Sequence, residues 1–514
     1  MLRTDLIRTV PELLDHHARV RAGVIAFIDD RRAITYGELR DSTARLAGHL
    51  QRLGLQVGDR ALIYTENRVE TAEAYLAVPR AGGIGVCVNP AAAPAEVAHV
   101  LDDSGSRIVI TDAAHLDTVR ALLADRPGLT VVLAGDGPDG GELRYADLLA
   151  TEGPAPRDCL ALDDTAWMLY TSGTTGRPKG VYLTQRGCLW VVAASFAPVL
   201  GLGPDDVVLS PLPLFHSYAL VLCVLGVTAV GATERILPRF SVQDVLHRFR
   251  EPGPEGPATV FPGVPTMFQY LLDRAGGAGL GAPSLRICMS AGAIMPAALN
   301  EAFEKAFGVP LLDGYGITET STMVTMNWPD GSRVMGSCGL PLPGLTVRLV
   351  DPSTLRDVLP GEEGELWVQG PGVTPGYHNL PEATAAVLVD GWYRTGDLGR
   401  RDEHGFLRIS GRTKELIIRG GENIYPAEVE DAVLACDAVA DAAVVGVPHE
   451  ALGEVPVVFV VPREPGALDR EKVLAACRER LAYFKVPTDV VEIDEIPRTG
   501  SGKVLRYRLR QRLA

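Results

Sequence analysis

The sequence lacks the cysteine and histidine spacings of a disulfide framework or a zinc site. Its 514 residues include eight scattered cysteines, with no CxxC pair and no Cys/His cluster at zinc-ligand spacing. Scattered thiols of this kind are typical of reduced cytosolic proteins, in which disulfides are rare. The cysteine pattern therefore predicts neither disulfides nor structural zinc, and it favours a cytoplasmic location.

Long apolar runs are also missing. The most apolar stretch, residues 219–230, is about half as long as a membrane-spanning helix requires. The first residues lack the apolar run of a signal peptide. We predict no membrane span and interpret residues 219–230 as a buried core segment.

Excess positive charge is absent as well. The chain carries 49 Lys and Arg against 64 Asp and Glu, a formal net charge of -15. Nucleic acids and anionic membranes both attract clustered Lys and Arg, so neither is an expected partner. The 46% hydrophobic and 22% charged residues are ordinary for a soluble globular protein.

Segments with strand and helix patterns alternate through the first 300 residues. Such alternation predicts parallel sheets with helices on their faces. Short strands separated by glycine-rich turns follow in residues 347–409 and predict a small β-barrel-like subdomain. From residue 414 the order strand, helix, strand predicts an α+β domain. The predicted fold is therefore α/β, with an N-terminal region (1–413) of two stacked βα-layered subdomains plus the β subdomain, and a C-terminal domain (414–514).

A loop rich in hydroxyls and glycines follows the apolar strand predicted at residues 165–170. Glycines let a backbone fold closely around an anion, hydroxyls add neutral donors, and a lysine adds positive charge. The spacing is not that of a Walker A loop. The alternative is a polar flexible turn, but the density of donors favours a phosphate-binding loop made of Thr171, Ser172, Gly173, Thr174, Thr175, Gly176 and Lys179.

Five segments, in order along the whole chain, resemble the adenylate-forming superfamily of acyl-CoA synthetases, adenylation domains and beetle luciferases. They are Thr171-Ser-Gly-Thr-Thr-Gly-Arg-Pro-Lys-Gly, Asp313-Gly-Tyr-Gly-Ile-Thr-Glu-Thr, Tyr393-Arg-Thr-Gly-Asp, Gly411-Arg-Thr-Lys-Glu with Gly420-Gly-Glu-Asn-Ile-Tyr-Pro, and Pro497-Arg-Thr-Gly-Ser-Gly-Lys. The chain looks most like a ligase of fatty or other apolar acids. The resemblance implies ATP-dependent formation of an acyl-adenylate and pyrophosphate, followed by transfer of the acyl group to a thiol.

The resemblance also assigns the nucleotide and catalytic residues. Thr174 and Glu319 would hold Mg²⁺, which needs few protein ligands when it binds phosphates, and Lys179 and Lys503 would stabilise the reacting phosphates. Asp397 would bind the ribose, Arg412 would approach the ribose or a phosphate, and Tyr315 would stack on adenine. The alternatives are a solvated Glu319, a turn-capping Asp397 and a core-packed Tyr315. The remaining expected ATP/AMP contacts, beside Thr171, Ser172, Gly173, Thr175 and Gly176, are Ala291, Gly292, Asp313, Gly314, Gly316, Thr318 and Ile409.

Relatives in this superfamily rotate a small C-terminal domain about one hinge residue. The resemblance places the hinge at Lys414 and the thiol channel at Gly420 and Gly421. One orientation would present Lys503 for adenylation, and the other would open the channel. The C-terminal domain is therefore expected to be a mobile lid.

The acid pocket is expected to draw on His216, Ser217, Val264, Ala293, Ile317 and Thr322. Amino-acid-activating relatives place an aspartate near His216, and none is found here; an unpaired ammonium in an apolar pocket is costly. The arginine that dicarboxylate-activating relatives carry before Tyr315 is absent too. The small residues of the pocket favour an apolar monocarboxylate, either a fatty acid or a bulky natural-product acid. For His216 the alternative is a helix-start residue without substrate contact.

The expected thiol acceptor is coenzyme A, and the alternative is the phosphopantetheine arm of a carrier protein. A binding module without catalysis is the alternative from a different class; the presence of Lys503, Glu319 and Asp397 disfavours it. The sequence is compatible with a monomer or a homodimer.

Overall fold

The computed structural model describes most of the chain. The described residues are 2–126, 128–138, 140–171, 178–275, 279–413, 415–419, 422–450, 452–464, 466, 468–498 and 504–513. They divide into two compact units. The first comprises residues 1–335, 339–346 and 368–393, and the second residues 336–338, 347–367 and 394–514.

Strands and helices alternate from the N-terminus, as the sequence predicts. Helix α2 (Tyr36–Arg52) shows how local chemistry sets a boundary, because the Glu38 carboxylate accepts the Thr35 N–H (2.9 Å) one residue before the helix begins. The elements up to the phosphate-loop segment are α1 Val10–Val20, β1 Ile25–Ile28, β2 Ala33–Thr35, α2 Tyr36–Arg52, β3 Arg60–Tyr64, α3 Val69–Arg80, β4 Ile84–Cys87, α4 Pro94–Ser104, β5 Ile108–Asp112, α5 Leu116–Leu123, β6 Thr130–Ala134, β7 Leu143–Arg144, α6 Tyr145–Ala150 and β8 Thr165–Thr171.

The chain then forms a second series of strands and helices. Residues 219–230 are entirely buried and helical, with a π-helical stretch at Leu220–Gly226, which confirms the core segment predicted there. The elements of this series are β9 Lys179–Thr184, α7 Gln185–Val191, β10 Val207–Ser210, α8 Ser217–Ala219, α9 Val227–Val230, β11 Thr233–Ile236, α10 Val242–Arg250, β12 Val260–Gly263, α11 Pro265–Ala275, β13 Ile287–Ser290, α12 Ala297–Phe307, β14 Leu311–Tyr315, β15 Thr325–Met326 and β16 Leu340–Pro341.

Two mixed sheets form the first unit. One has seven strands in the order β7-β6-β5-β3-β4-β8-β9, and the other has nine in the order β16-β15-β14-β13-β12-β10-β11-β1-β2. Both are parallel at their centres and antiparallel at edges such as β8–β9 and β1–β2. Their largest apolar cluster includes Trp167 of β8 and Phe27 of β1, so both sheets contribute to one core.

The remaining elements include the glycine-rich strands that the sequence predicts. They are β17 Thr346–Val350, β18 Glu363–Gln369, α13 Pro381–Val387, β19 Leu388–Val389, β20 Trp392–Arg401, β21 Leu407–Arg412, β22 Ile417–Arg419, β23 Glu422–Ile424, α14 Pro426–Leu434, β24 Val439–His449, β25 Gly453–Pro462, α15 Arg470–Arg480, β26 Asp489–Glu492 and α16 Arg506–Gln511.

The second unit contains an α+β fold of its own. Strands β23, β22, β25 and β24 form a sheet in that order, and β26 pairs with β25 in parallel. Helices α14 and α15 contribute Val429, Val433 and Val473 to the apolar cluster on this sheet. The α+β character predicted after residue 414 is thus observed.

The cysteines differ in exposure. Seven of the eight are buried free thiols, and Cys159 is exposed. Burial raises the pKa of Cys188 to about 12, so that thiol stays protonated. No helix in the described part of the chain is both long and apolar enough to cross a bilayer.

Candidate active site

Four neighbouring parallel strands of the nine-stranded sheet end at one edge. Strands β10, β12, β13 and β14 pair in parallel, with Gly263 opposite Ser290 and Ser290 opposite Asp313. The carboxyl ends of parallel strands are where α/β sheets bind ligands. The predicted acid and nucleotide residues that follow these strands are therefore gathered at this edge.

The segment after β10 carries the first predicted acid residues. His216 caps α8, where its Nδ1 accepts the Tyr218 N–H (3.2 Å). Tyr218 is buried and its hydroxyl donates to the Met289 carbonyl (3.1 Å), while the Ser217 hydroxyl lies 3.4 Å from that of Thr318. His216 is thus a helix-start residue, and its contact with the acid stays a prediction.

The other predicted pocket residues follow the next three strands. Val264 and Ile317 are buried, and Ala293 is half-buried. Thr322 is buried in the turn after β14 and has φ +94°, a conformation that a β-branched residue rarely adopts. The lining that these residues offer is small or apolar, without a charged side chain.

Strand β14 ends in a crowded turn at the predicted adenine site. A Cβ on Gly316 would lie 1.3 Å from the Thr322 carbonyl oxygen, and one on Gly314 would lie 2.4 Å from the Met323 methyl. Only glycine fits at these positions, while Tyr315 between them is half-buried. Packing alone therefore requires the two glycines of Asp313-Gly-Tyr-Gly, whether or not they contact a nucleotide.

Two polar groups at the same edge are buried without partners. The Oδ1 of Asp313 and the Oγ of Ser290 accept or donate no hydrogen bond among the described residues. Burial raises the pKa of Asp313 well above its usual range. Unsatisfied buried polar groups are rare and need an explanation; a ligand that supplies a donor and an acceptor would provide one here. Buried Ala291 and half-buried Gly292, which has φ +87°, follow directly after Ser290.

Glu319 lies at the centre of a polar cluster. The Tyr377 hydroxyl donates to its Oε1 (3.0 Å), and the Tyr393 hydroxyl is 3.0 Å from that of Tyr377. Lys179 Nζ lies 5.1 Å from the centre of the Tyr377 ring, a cation–π distance. Burial, followed by the charge of Glu319, raises the pKa of Tyr377 and of Tyr393, so both phenols stay protonated.

Sequence reasoning missed Tyr377. It lies 58 residues beyond Glu319 in the chain, in a glycine-rich stretch with no spacing rule that joins it to the carboxylate. Its contact arises because residues 374–378 run beside β9, with Tyr377 opposite Val181. A pairing of distant segments of this kind carries no local signal.

The two strands that flank the phosphate-loop segment pair in antiparallel orientation. Thr171 ends β8 and pairs with Lys179, the first residue of β9, in antiparallel register. This pairing therefore fixes both ends of the predicted loop. Its inner predicted residues, Ser172, Gly173, Thr174, Thr175 and Gly176, lie outside the described residues.

In the second unit, the predicted ribose residues form an ion pair. Buried Asp397 on β20 lies opposite Arg412 on β21, and its Oδ1 is 2.8 Å from Arg412 Nε. The Thr395 hydroxyl accepts the Asp397 N–H (3.0 Å). Half-buried Ile409 belongs to β21 as well. The pair orients the Asp397 carboxylate, while Lys414, Gly420, Gly421 and Lys503 lie outside the described residues.

Family profiles match both ends of the chain. The profile described as AMP-binding enzyme matches residues 14–378, and the one described as AMP-binding enzyme C-terminal domain matches residues 428–503. The chain belongs to the AMP-binding enzyme family. The predicted superfamily is thereby confirmed, and the positions of its domain boundaries and site residues stay predictions.

Full-length relatives in the AMP-binding enzyme family are acid–CoA ligases. The chain is 37% identical to the feruloyl-CoA synthase of Amycolatopsis sp, over 93% of this chain and 94% of the relative. It is 36% identical to the long-chain-fatty-acid–CoA ligase of Yersinia pestis, over 98% and 94%. In two longer relatives, 38% and 37% identical, the chain spans 19% of the relative's length.

Solved structures of the AMP-binding enzyme family share this fold. The crystal structure of ATP-bound MatB from Rhodopseudomonas palustris superposes with a TM-score of 0.88 at 34% identity, over 98% of each chain. The predicted α/β fold with a separate C-terminal domain is confirmed. The central sheets are mixed where parallel sheets were predicted, because antiparallel pairs occur at their edges: β1–β2, β8–β9, β14–β15 and β15–β16.

The described residues suit a magnesium ion that is bound chiefly by phosphates. They contain no group of three His, Cys, Asp or Glu side chains that could enclose a metal. Glu319 is half-buried, and within the described segments no Lys, Arg or His forms an ion pair with it. A lone carboxylate of this kind fits Mg²⁺, which keeps most of its water and phosphate ligands.

Proposed function

We propose that the chain is an ATP-dependent carboxylic acid:CoA ligase of the AMP-forming type. A carboxylate oxygen attacks the α-phosphorus of ATP, the bond from that phosphorus to its bridging oxygen breaks, and pyrophosphate leaves. The thiol sulfur then attacks the acyl carbon of the adenylate, loses its proton, and AMP leaves. Family membership supports both half-reactions, since the full-length relatives are CoA ligases.

The observation that carries the proposal is the cluster of Lys179, Tyr377 and Glu319. Both Lys179, at the end of the phosphate loop, and Glu319 contact the side chain of Tyr377. Glu319 has no ionic partner among the described residues. Two anions must approach in the first half-reaction, so charge neutralisation and positioning dominate catalysis. Lys179 would bind phosphate oxygens, and Glu319 would hold the Mg²⁺ that neutralises them.

The nucleotide is proposed to use the strand edge already described. Asp313 and Ser290 offer the unsatisfied buried groups, and Tyr315 offers a ring between two glycines. Asp397, oriented by Arg412, is proposed to accept the ribose hydroxyls, since an ionised carboxylate is a natural acceptor for them. Lys503 is proposed to stabilise the charge on the α-phosphate.

The acid is proposed to be an apolar monocarboxylate. The predicted pocket residues Val264, Ala293 and Ile317 offer only small or apolar side chains. An ammonium or a second carboxylate would remain unpaired against such a lining, at a cost of several kcal/mol. The relatives' names include both an aromatic and a long-chain acid, so both classes belong in the test.

Coenzyme A is the proposed acceptor, because the full-length relatives are CoA ligases. A carrier-protein phosphopantetheine is the second candidate. A cytoplasmic location and a monomeric or homodimeric assembly remain predictions.

The proposal is tested by acid-dependent pyrophosphate release with Mg²⁺ and ATP. The panel contains a long-chain fatty acid, a hydroxycinnamic acid, an amino acid and a dicarboxylic acid, each with CoA, with a carrier protein and without a thiol. Release with apolar monocarboxylates and thioester formation with CoA are expected. No release with any acid would favour a binding module without catalysis.

A further inference from the structure

Residues 372–378, here named the clamp segment, are fastened to β9. The His378 N–H donates to the Gly180 carbonyl (2.7 Å), and the Tyr182 N–H donates to the Gly376 carbonyl (3.1 Å). The Thr374 hydroxyl donates to the Tyr182 carbonyl (2.7 Å). Because β9 begins at Lys179, these hydrogen bonds attach the clamp segment to the strand that follows the phosphate loop.

The same segment holds the turn that carries Glu319. The Thr374 N–H donates to the Glu319 carbonyl (2.8 Å), and the Ser321 hydroxyl donates to the Gly372 carbonyl (2.8 Å). The Tyr377 hydroxyl donates to Glu319 Oε1 (3.0 Å). The clamp segment therefore contacts both the backbone and the side chain of this turn.

Tyr377 is itself held in one orientation. Its N–H donates to the Thr384 hydroxyl (3.0 Å), and its phenol oxygen lies 3.0 Å from that of Tyr393. A phenol has one proton, which Tyr377 gives to Glu319, so Tyr393 is the donor in the second bond. The two phenols form a directed chain that ends on the carboxylate.

We propose that Tyr377 is a positioning residue that fixes the Glu319 carboxylate for the Mg²⁺ of bound ATP. The clamp segment ties this carboxylate to the Lys179 strand, so the metal ligand and the phosphate-binding lysine keep a constant separation. The inference rests on the proposed function, in which Glu319 faces Mg²⁺·ATP. Residues that orient a metal ligand typically change metal affinity or activity about 10–100-fold when they are removed.

The test uses the Tyr377→Phe variant of the full chain, which keeps the ring beneath Lys179 and removes the hydroxyl. ATP binding is measured by calorimetry over a series of Mg²⁺ concentrations and without Mg²⁺. The half-saturating Mg²⁺ concentration is expected to rise about tenfold. Binding of ATP without Mg²⁺ is expected to stay unchanged, because the variant retains the Lys179 contact.

Tyr182→Phe is the matched control. Tyr182 is also a tyrosine whose hydroxyl bonds the clamp segment, at His378 Nδ1 (2.5 Å) rather than at Glu319. Its variant should keep the wild-type Mg²⁺ dependence. If Tyr377→Phe does not fold, Tyr393→Phe carries the test, since it removes the donor behind Tyr377 and should shift the Mg²⁺ dependence in the same direction by a smaller factor.

The outcomes separate the inference from the proposed function. An unchanged Mg²⁺ dependence in Tyr377→Phe, or an equal loss of ATP binding with and without Mg²⁺, overturns the positioning role even if the enzyme ligates acids. A shifted Mg²⁺ dependence in a protein that releases no pyrophosphate with any acid supports the positioning role and overturns the ligase proposal. A wild-type protein that binds no ATP overturns both.

Discussion

At the scale of single residues, the burial of Glu234 on β11 costs folding free energy. It is fully buried between β10 and β1, and neither carboxyl oxygen has a hydrogen-bond partner among the described residues. Burial raises the pKa of Glu234 to about 8, and the nearby Ser210 hydroxyl offsets little of that. The folded protein therefore holds a proton there that the unfolded chain releases.

The sign of the resulting pH dependence follows from linkage. The folded state binds the proton more tightly, so its stability is complete below the ordinary pKa of about 4.5 and falls as pH rises through about 8. At about 1.4 kcal/mol per pKa unit, the shift from 4.5 to about 8 corresponds to a loss on the order of 5 kcal/mol. Glu234→Gln removes this dependence, so its gain over wild type in unfolding midpoint should grow from pH 5 to pH 8. Parallel midpoint-versus-pH curves for the two proteins would contradict the assignment.

Candidate site residues could be named from the sequence where one continuous segment carries them. Glu319 and Asp313 lie in a continuous motif, and Asp397 follows a glycine after a strand. Tyr377 and Glu234 were not predictable, because the first acts through a contact across the fold and the second breaks the rule that buried strand positions are apolar. Local sequence patterns identify candidate side chains, while tertiary packing determines which of these side chains contact one another.

At the scale of elements, the turn from β14 to the Thr318–Thr320 3₁₀ turn is the most constrained feature of the candidate site. Ser321 and Thr322 have φ of +54° and +94°, and strained backbone of this kind persists where the surroundings enforce it. The Thr322 N–H donates to the Ile317 carbonyl (3.1 Å). In this turn the carbonyl oxygen of Thr322 lies over Gly316.

Gly316→Ala should displace this turn. The added Cβ would meet backbone at 1.3 Å, and overpacking typically costs about 1–3 kcal/mol. Both the unfolding midpoint and the affinity for ATP should fall. Gly23→Ala is the control, since a Cβ there meets nothing within 4 Å; equal effects of the two substitutions would remove the steric explanation.

Element types were largely predictable and element directions were not. The alternation of apolar strand and amphipathic helix predicted the βα series, and the buried segment at 219–230 was interpreted correctly. The antiparallel edges of both sheets were missed, because alternation says nothing about how a strand such as β9 returns beside β8. That return is what places Lys179 opposite Thr171.

At the scale of the whole molecule, we predict that a rotation of the C-terminal domain about Lys414 separates the two half-reactions. Lys503→Ala should lower acid-dependent pyrophosphate release by about 10²–10³-fold, the usual loss for a group that stabilises transition-state charge. Thioester formation from supplied acyl-adenylate and CoA should persist. Comparable loss in both assays would contradict the alternating-orientation hypothesis.

The overall organisation was predictable because motifs span the chain in a fixed order. The predicted boundary at residues 413 and 414 differs from the division by contacts, in which residues 347–367 and 394–413 group with the C-terminal residues. Chain order alone cannot show such grouping, because it does not specify which segments pack together in space.

The uneven exposure of the cysteines has a practical consequence for any study of this motion. Seven thiols are buried and Cys159 alone is exposed, so a maleimide dye should modify the native wild-type chain at one site in the first unit. A second cysteine introduced on an exposed position of the C-terminal residues would complete a donor–acceptor pair. Energy transfer between the two dyes could then follow the catalytic cycle in single molecules without removal of any native cysteine.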